Sequence, residues 1–121
     1  MARILLVEDD DNARKALRRI LERAGFIITE AANGSEALQF YHAMPVDLVI
    51  TDILMPERDG LETIMALRKV VSDVKIIAIS GGGGINMDVL SVAKQLGACC
   101  AFHKPVDIRE LLVAVYKLLQ R

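Results

Sequence analysis

The sequence predicts an α/β domain: one parallel sheet of five strands, doubly wound in the order 2-1-3-4-5, with five helices on its two faces. Three observations predict it. Short apolar runs alternate with amphipathic stretches along all 121 residues, and strict alternation of this kind builds a parallel sheet covered on both sides. The runs are continuously apolar, as strands buried on both faces require. For five such strands the common doubly wound order is 2-1-3-4-5.

The elements follow in order. Residues 3–7 (RILLV) form the first apolar run. Ala13, Ala16, Leu17, Ile20, Leu21 and Ala24 then recur at helical spacing, and Gly25 supplies the stop. Residues 26–30 read as the second strand, and Asn33-Gly34 turns the chain into a short helix carrying Ala37, Leu38 and Tyr41. Leu48, Val49 and Ile50 make the third strand; Leu61, Ile64, Leu67 and Val71 mark the third helix. Residues 75–80 (KIIAIS) form the fourth strand, followed by a helix with Val89, Val92, Ala93 and Leu96 that Gly97 stops. Residues 99–103 are the fifth strand. Ile108, Leu111, Leu112, Val115, Leu118 and Leu119 place one apolar stripe on the fifth helix.

Composition bounds the function. A chain of this length buries roughly two-thirds of its unfolded surface, enough for one core. With 53% hydrophobic and 26% charged residues it reads as globular rather than disordered. A net charge of −1 gives no electrostatic case for nucleic acid or an anionic membrane as partner. No secretory leader and no membrane-length apolar run is evident, so a cytoplasmic location is expected. Cys99 and Cys100 are adjacent; neighbours do not easily form an unstrained disulfide, and two thiols alone do not make a zinc site.

In a doubly wound sheet, ligands bind beyond the carboxyl ends of the strands, where the strand order reverses. The first strand ends in Glu8-Asp9, the third in Asp52, the fourth in Ser80 and the fifth in Lys104-Pro105. Carboxylates crowded at one rim repel one another and raise at least one pKa. A hard divalent cation such as Mg²⁺ removes that conflict. A lysine opposite can neutralise a transferring phosphoryl group, and a hydroxyl can donate one further hydrogen bond. The set suits phosphoryl transfer to an aspartate, with Asp52 as nucleophile.

The segments LLVEDD (5–10), LVITDILMPERDG (48–60), IIAIS (76–80) and HKP (103–105) resemble the four signatures of response-regulator receiver domains, in family order and spacing along the whole chain. The resemblance implies a flavodoxin-like fold over residues 1–121. It implies Asp52 as phosphoacceptor, with Glu8, Asp9, Asp52 and the backbone carbonyl of Leu54 as the Mg²⁺ site. Ser80 matches the switch hydroxyl and Lys104 the lysine that contacts the phosphoryl group, with a cis bond expected at Lys104-Pro105. The implied donor is a sensor histidine kinase or histidine phosphotransferase. The implied output is a downstream protein bound on the face of the fourth helix, fifth strand and fifth helix, with no direct contact to nucleic acid or membrane. Self-phosphorylation and autodephosphorylation are the only expected catalysis, and a monomer or weak dimer is the expected state. The Met start and the helix finishing at Arg121 favour a free-standing domain.

One position departs from the pattern. Ala101 stands where the family's switch aromatic lies, three residues before the lysine. Phe102 is one residue late, hence on the opposite face of a strand. A receiver-like binding module that does not use phosphorylation is therefore the alternative; Ala101 alone favours it. A flavodoxin-like FMN carrier ranks last, because Glu8–Asp11 would repel a phosphate. Asp10 and Asp11 read as helix caps or first-turn acids. Gly81–Gly84 lacks the ending of a P-loop and reads as a loop that lets Ser80 move. His42 and His103 read as surface or packing residues.

Overall fold

Five strands and four helices follow one another through the computed structural model, which describes residues 2–53, 60–70, 74–80, 94–95 and 97–120. They are β1 (Arg3–Val7), α1 (Asp11–Arg23), β2 (Ile27–Ala31), α2 (Gly34–Ala43), β3 (Leu48–Asp52), α3 (Gly60–Val70), β4 (Lys75–Ser80), β5 (Cys100–His103) and α4 (Ile108–Leu119). All strands are parallel, in the order β2-β1-β3-β4-β5, as the sequence predicts. Four helices are described against five expected. α4 is the fifth of those expected. The residues that mark the fourth, Val89, Val92, Ala93 and Leu96, lie outside the described residues; Lys94 and Gln95, between the last two of them, are helical.

The continuous apolar runs follow from burial on both faces. Successive side chains of a strand point to opposite sides, so each strand supplies two cores. Leu5 and Val7 join Val49, Ile76 and Ala78 against Ala37 and Tyr41 of α2 and Ile64 and Leu67 of α3. Ile4 and Leu6 join Ile50, Ile77 and Ile79 against Leu21 of α1 and Leu111 and Val115 of α4. α2 and α3 thus cover one face, α1 and α4 the other. β3 is central, and all five of its residues are buried. At roughly 1.5–3 kcal/mol for each fully buried aliphatic side chain, these strands supply much of the stabilisation.

Element boundaries follow local hydrogen bonding. Asp10 caps α1, its carboxylate accepting from the amides of Asn12 (2.9 Å) and Ala13 (3.2 Å); the capping role expected of it holds, and Asp11 lies in the first turn. Asn33 caps α2 and Asp107 caps α4 in the same way. β2 starts at Ile27 rather than at the expected Phe26, because the Phe26 amide still donates to Leu21 at the end of α1 (3.2 Å). β3 runs through Thr51 to Asp52, where the third strand is expected to end, since both remain paired with Ala78 and Ile79. Both expected glycine stops have positive φ: Gly25 at +100° and Gly97 at +130°. At Gly97 a Cβ would also collide with the Arg68 guanidinium, which donates to the Gly97 carbonyl.

Candidate functional site

The register brings the polar residues to one rim. Val7 pairs with Thr51, so Glu8, one residue further, is level with Asp52 across the β1–β3 boundary where the strand order reverses. Asp52 pairs with Ile79, which puts Ser80 one residue beyond it, and Ser80 pairs with His103. Lys104 follows directly, its amide donating to the Ser80 carbonyl (2.8 Å). The Lys104-Pro105 bond is cis, as the resemblance implies. Four chain segments far apart in sequence therefore meet.

Lys104 is the hub. Its Nζ donates to Asp52 Oδ2 at 2.8 Å and also to Glu8 Oε1. Glu8, Asp52 and Ser80 are buried, whereas Asp9 is exposed. One carboxylate oxygen from each of Glu8, Asp9 and Asp52 lies within 4.8 Å of the others. Among the described residues no other group of three acids, histidines or cysteines is so placed. Beside them lies a cavity of about 250 Å³ with apolar walls that include Leu6, Ala13, Leu17, Ile50, Ile79 and Val106.

This environment sets the electrostatics. Burial pushes the Glu8 carboxyl up from 4.5 to about 7. The neighbouring Asp52 pushes the same way, and Lys104 opposes both. For Lys104, burial works against its charge, but its bonds to Asp52 and Glu8 outweigh that and raise its pKa. One ammonium faces three carboxylates, a deficit of two positive charges when all are ionised. That deficit, the all-oxygen donor set and the spacing fit a hard divalent cation, which takes one or two carboxylates plus waters and phosphate oxygens. Glu8, Asp9 and Asp52 are the side chains able to hold it. Leu54, whose carbonyl was expected to contribute, lies outside the described residues, as does the Gly81–Gly84 loop.

Ala101 and Phe102 occupy opposite faces, as expected. Ala101 packs against the core beneath α2 and α3, and Phe102 packs against the core beneath α1 and α4. His42 and His103 are exposed. The sequence reading overlooked Arg14. Its Nη1 donates to the Glu8 carbonyl (2.8 Å), its Nε to Glu30 (2.8 Å) and its Nη2 to Asp11 (2.6 Å). Glu30 also accepts from Arg18. The Arg18 bond, joined by that of Arg14, holds the Glu30 carboxyl below its ordinary value against the effect of burial. A signal was present: an arginine in the first turns of α1 and an acid near the end of the adjacent β2.

Known proteins resemble the chain over nearly its whole length. The family model for the response regulator receiver domain matches residues 4–116. The response regulator receiver protein CpdR of Brucella abortus is 35% identical over 119 residues, covering 98% of both chains. Sporulation initiation phosphotransferase F of Bacillus subtilis is 32% identical over 117 residues, covering 97% of this chain and 93% of its own. The structure of response regulator protein TrrA from Thermotoga maritima, in complex with Mg²⁺-BeF, is similar with a TM-score of 0.87 and 36% identity, covering 98% of this chain and all (100%) of that one. Among the described residues no helix is long and apolar enough to cross a membrane.

Proposed function

The chain belongs to the response-regulator receiver domains of two-component systems, signalling modules rather than conventional enzymes, and on that footing we propose that it takes a phosphoryl group onto Asp52 from a phosphohistidine donor. The observation that carries the reading is Lys104 bridging Asp52 and Glu8 at a rim where Asp9 completes the acidic group. An Asp52 carboxylate oxygen attacks phosphorus in line. The O–P bond forms as the donor's P–N bond breaks, and its electron pair returns to the imidazole nitrogen. Lys104 exchanges its bond to Asp52 for one to a phosphoryl oxygen. Charge there is worth roughly 4 kcal/mol at about 4 Å and an effective dielectric near 20, before desolvation. Ser80 donates one further hydrogen bond. Glu8, Asp9 and Asp52, with the Leu54 carbonyl, would hold Mg²⁺, which supplies neutralisation of phosphoryl oxygens when bound. Water later hydrolyses the acyl phosphate.

A sensor histidine kinase or a histidine phosphotransferase is the proposed donor. The proposed readout is a protein bound where the helix expected before Gly97, β5 and α4 meet. Phosphorylation adds about two negative charges at the rim, and drawing Ser80 and Lys104 toward them biases a two-state loop. Ala101 favours a second reading, a protein-binding module of the same fold that does not respond to phosphorylation.

Beryllofluoride, a phosphoryl mimic, separates the two. With Mg²⁺ present, the first reading expects saturable binding, followed by amide chemical shifts that spread from Asp52 to β5 and α4. Shifts confined to the rim would favour the second reading, and no binding at all would contradict the first.

A further inference from the structure

We propose that Arg14 is a positioning residue for the Glu8-Asp9 carboxylate pair, an inference that rests on the reading of that pair as a Mg²⁺ site. β1 ends at Val7, yet both backbone polar groups of the next residue are held. The Glu8 amide donates to the Ala31 carbonyl at 3.0 Å, and the Glu8 carbonyl accepts from Arg14 Nη1 at 2.8 Å. That carbonyl lies in the planar peptide unit joining Glu8 to Asp9. Fixing it sets the directions in which both acidic side chains leave the strand.

Arg14 is itself immobilised. Its side chain is only 11% exposed, and its other two arms end on Glu30 of β2 and Asp11 of α1. Three nitrogens of one rigid fork thus reach the Glu8 carbonyl, Glu30 of β2 and Asp11 of α1 in fixed directions, whereas a lysine offers one compact charge on a flexible stem. On the far side of the pair the chain is held by the Asp10 cap. Glu8 and Asp9 are therefore suspended between a clamped strand end and a capped helix. Arg14 donates to no carboxylate of the site among its bonds described here; it acts through the peptide.

The test is Mg²⁺ titration of the full chain, followed by amide chemical shifts, together with the Mg²⁺ dependence of phosphorylation by acetyl phosphate. Loss of an outer partner of a metal ligand costs about 10- to 100-fold in affinity, so Arg14→Met should weaken Mg²⁺ binding by about tenfold. The rate at saturating Mg²⁺ should stay within about twofold of wild type, because positioning sets how much metal is needed rather than the group that attacks. Arg14→Lys keeps a cation beside Glu30 and should show the same loss, so it decides the matter if Arg14→Met does not fold. Glu30→Gln keeps an acceptor for Arg14 and should retain the affinity. An unchanged affinity in Arg14→Lys, or an equal loss in Glu30→Gln, would overturn the inference while leaving the site intact. A wild-type chain that binds no Mg²⁺ would overturn the site reading and this inference with it.

Discussion

Burial, with Asp52 alongside, holds the Glu8 carboxyl well above the ordinary carboxylate range, although the Lys104 ammonium that Glu8 shares with Asp52 pulls the other way. Because its pKa rises from 4.5 to about 7 on folding, Glu8 binds its proton more tightly folded than unfolded. Its contribution to stability is therefore full below 4.5 and lost as the pH rises through about 7. At 1.36 kcal/mol per unit, the loss amounts to about 3 kcal/mol at most. Glu8→Gln removes it. In EDTA, the urea stability of wild type relative to Glu8→Gln should decline between about pH 5 and about pH 8; a constant difference across that range would contradict the assignment. Glu30 runs the other way. With its pKa lowered from 4.5, chiefly by Arg18 and then Arg14, its contribution is present above 4.5 and is lost as the pH falls below it. Glu30→Gln should therefore be less stable than wild type above about pH 5, and in urea denaturation that gap should close as the pH falls below 4.5.

At the scale of elements, magnitudes rank what holds the rim in place. Ile50, fully buried in β3, anchors the strand that carries Asp52. Ile50→Ala should cost about 2–5 kcal/mol. The exposed cap of α1 matters less, and Asp10→Ala should cost about 1 kcal/mol; urea denaturation of the two variants checks the ranking. Most elements were legible for a physical reason. A strand buried on both faces must be continuously apolar, so β1 and β4 appear in the sequence with the bounds they have in the fold. The misjudged start of β2, at Phe26, depends on a competing local bond to Leu21, which a pattern of apolar residues does not record. The rim was legible because the strand-order rule places Glu8, Asp52, Ser80 and Lys104 without side-chain detail. The bridge from Lys104 to Glu8 spans 96 positions, and the grip of Arg14 on a backbone carbonyl has no compositional signature. Neither bond can be read from the apolar pattern, although the residues that make them can be placed.

At the scale of the molecule, three acidic side chains and one lysine meet at the reversal point of a sheet covered on both faces, and incoming phosphoryl charge would deepen the imbalance. The proposed use of the site therefore requires metal. Mg²⁺ at ten times its dissociation constant should stabilise the fold by about 1.4 kcal/mol, since a ligand that binds only the native state shifts unfolding by mass action. Asp52→Asn, which removes one of the three charges, should weaken that response. Ala101 leaves the α2–α3 side of β5 without a large side chain packed in the core, so on the first reading a signal reaching β5 would travel by backbone movement, through the exposed His103, or through Phe102 on the other face. The central claim concerns Asp52 itself, and intact mass after incubation with acetyl phosphate and Mg²⁺ tests it most directly. The account predicts a single phosphoryl adduct on the wild-type chain that is absent in EDTA and absent in Asp52→Asn. An adduct that persists in Asp52→Asn, or a wild-type chain that takes none, would contradict it.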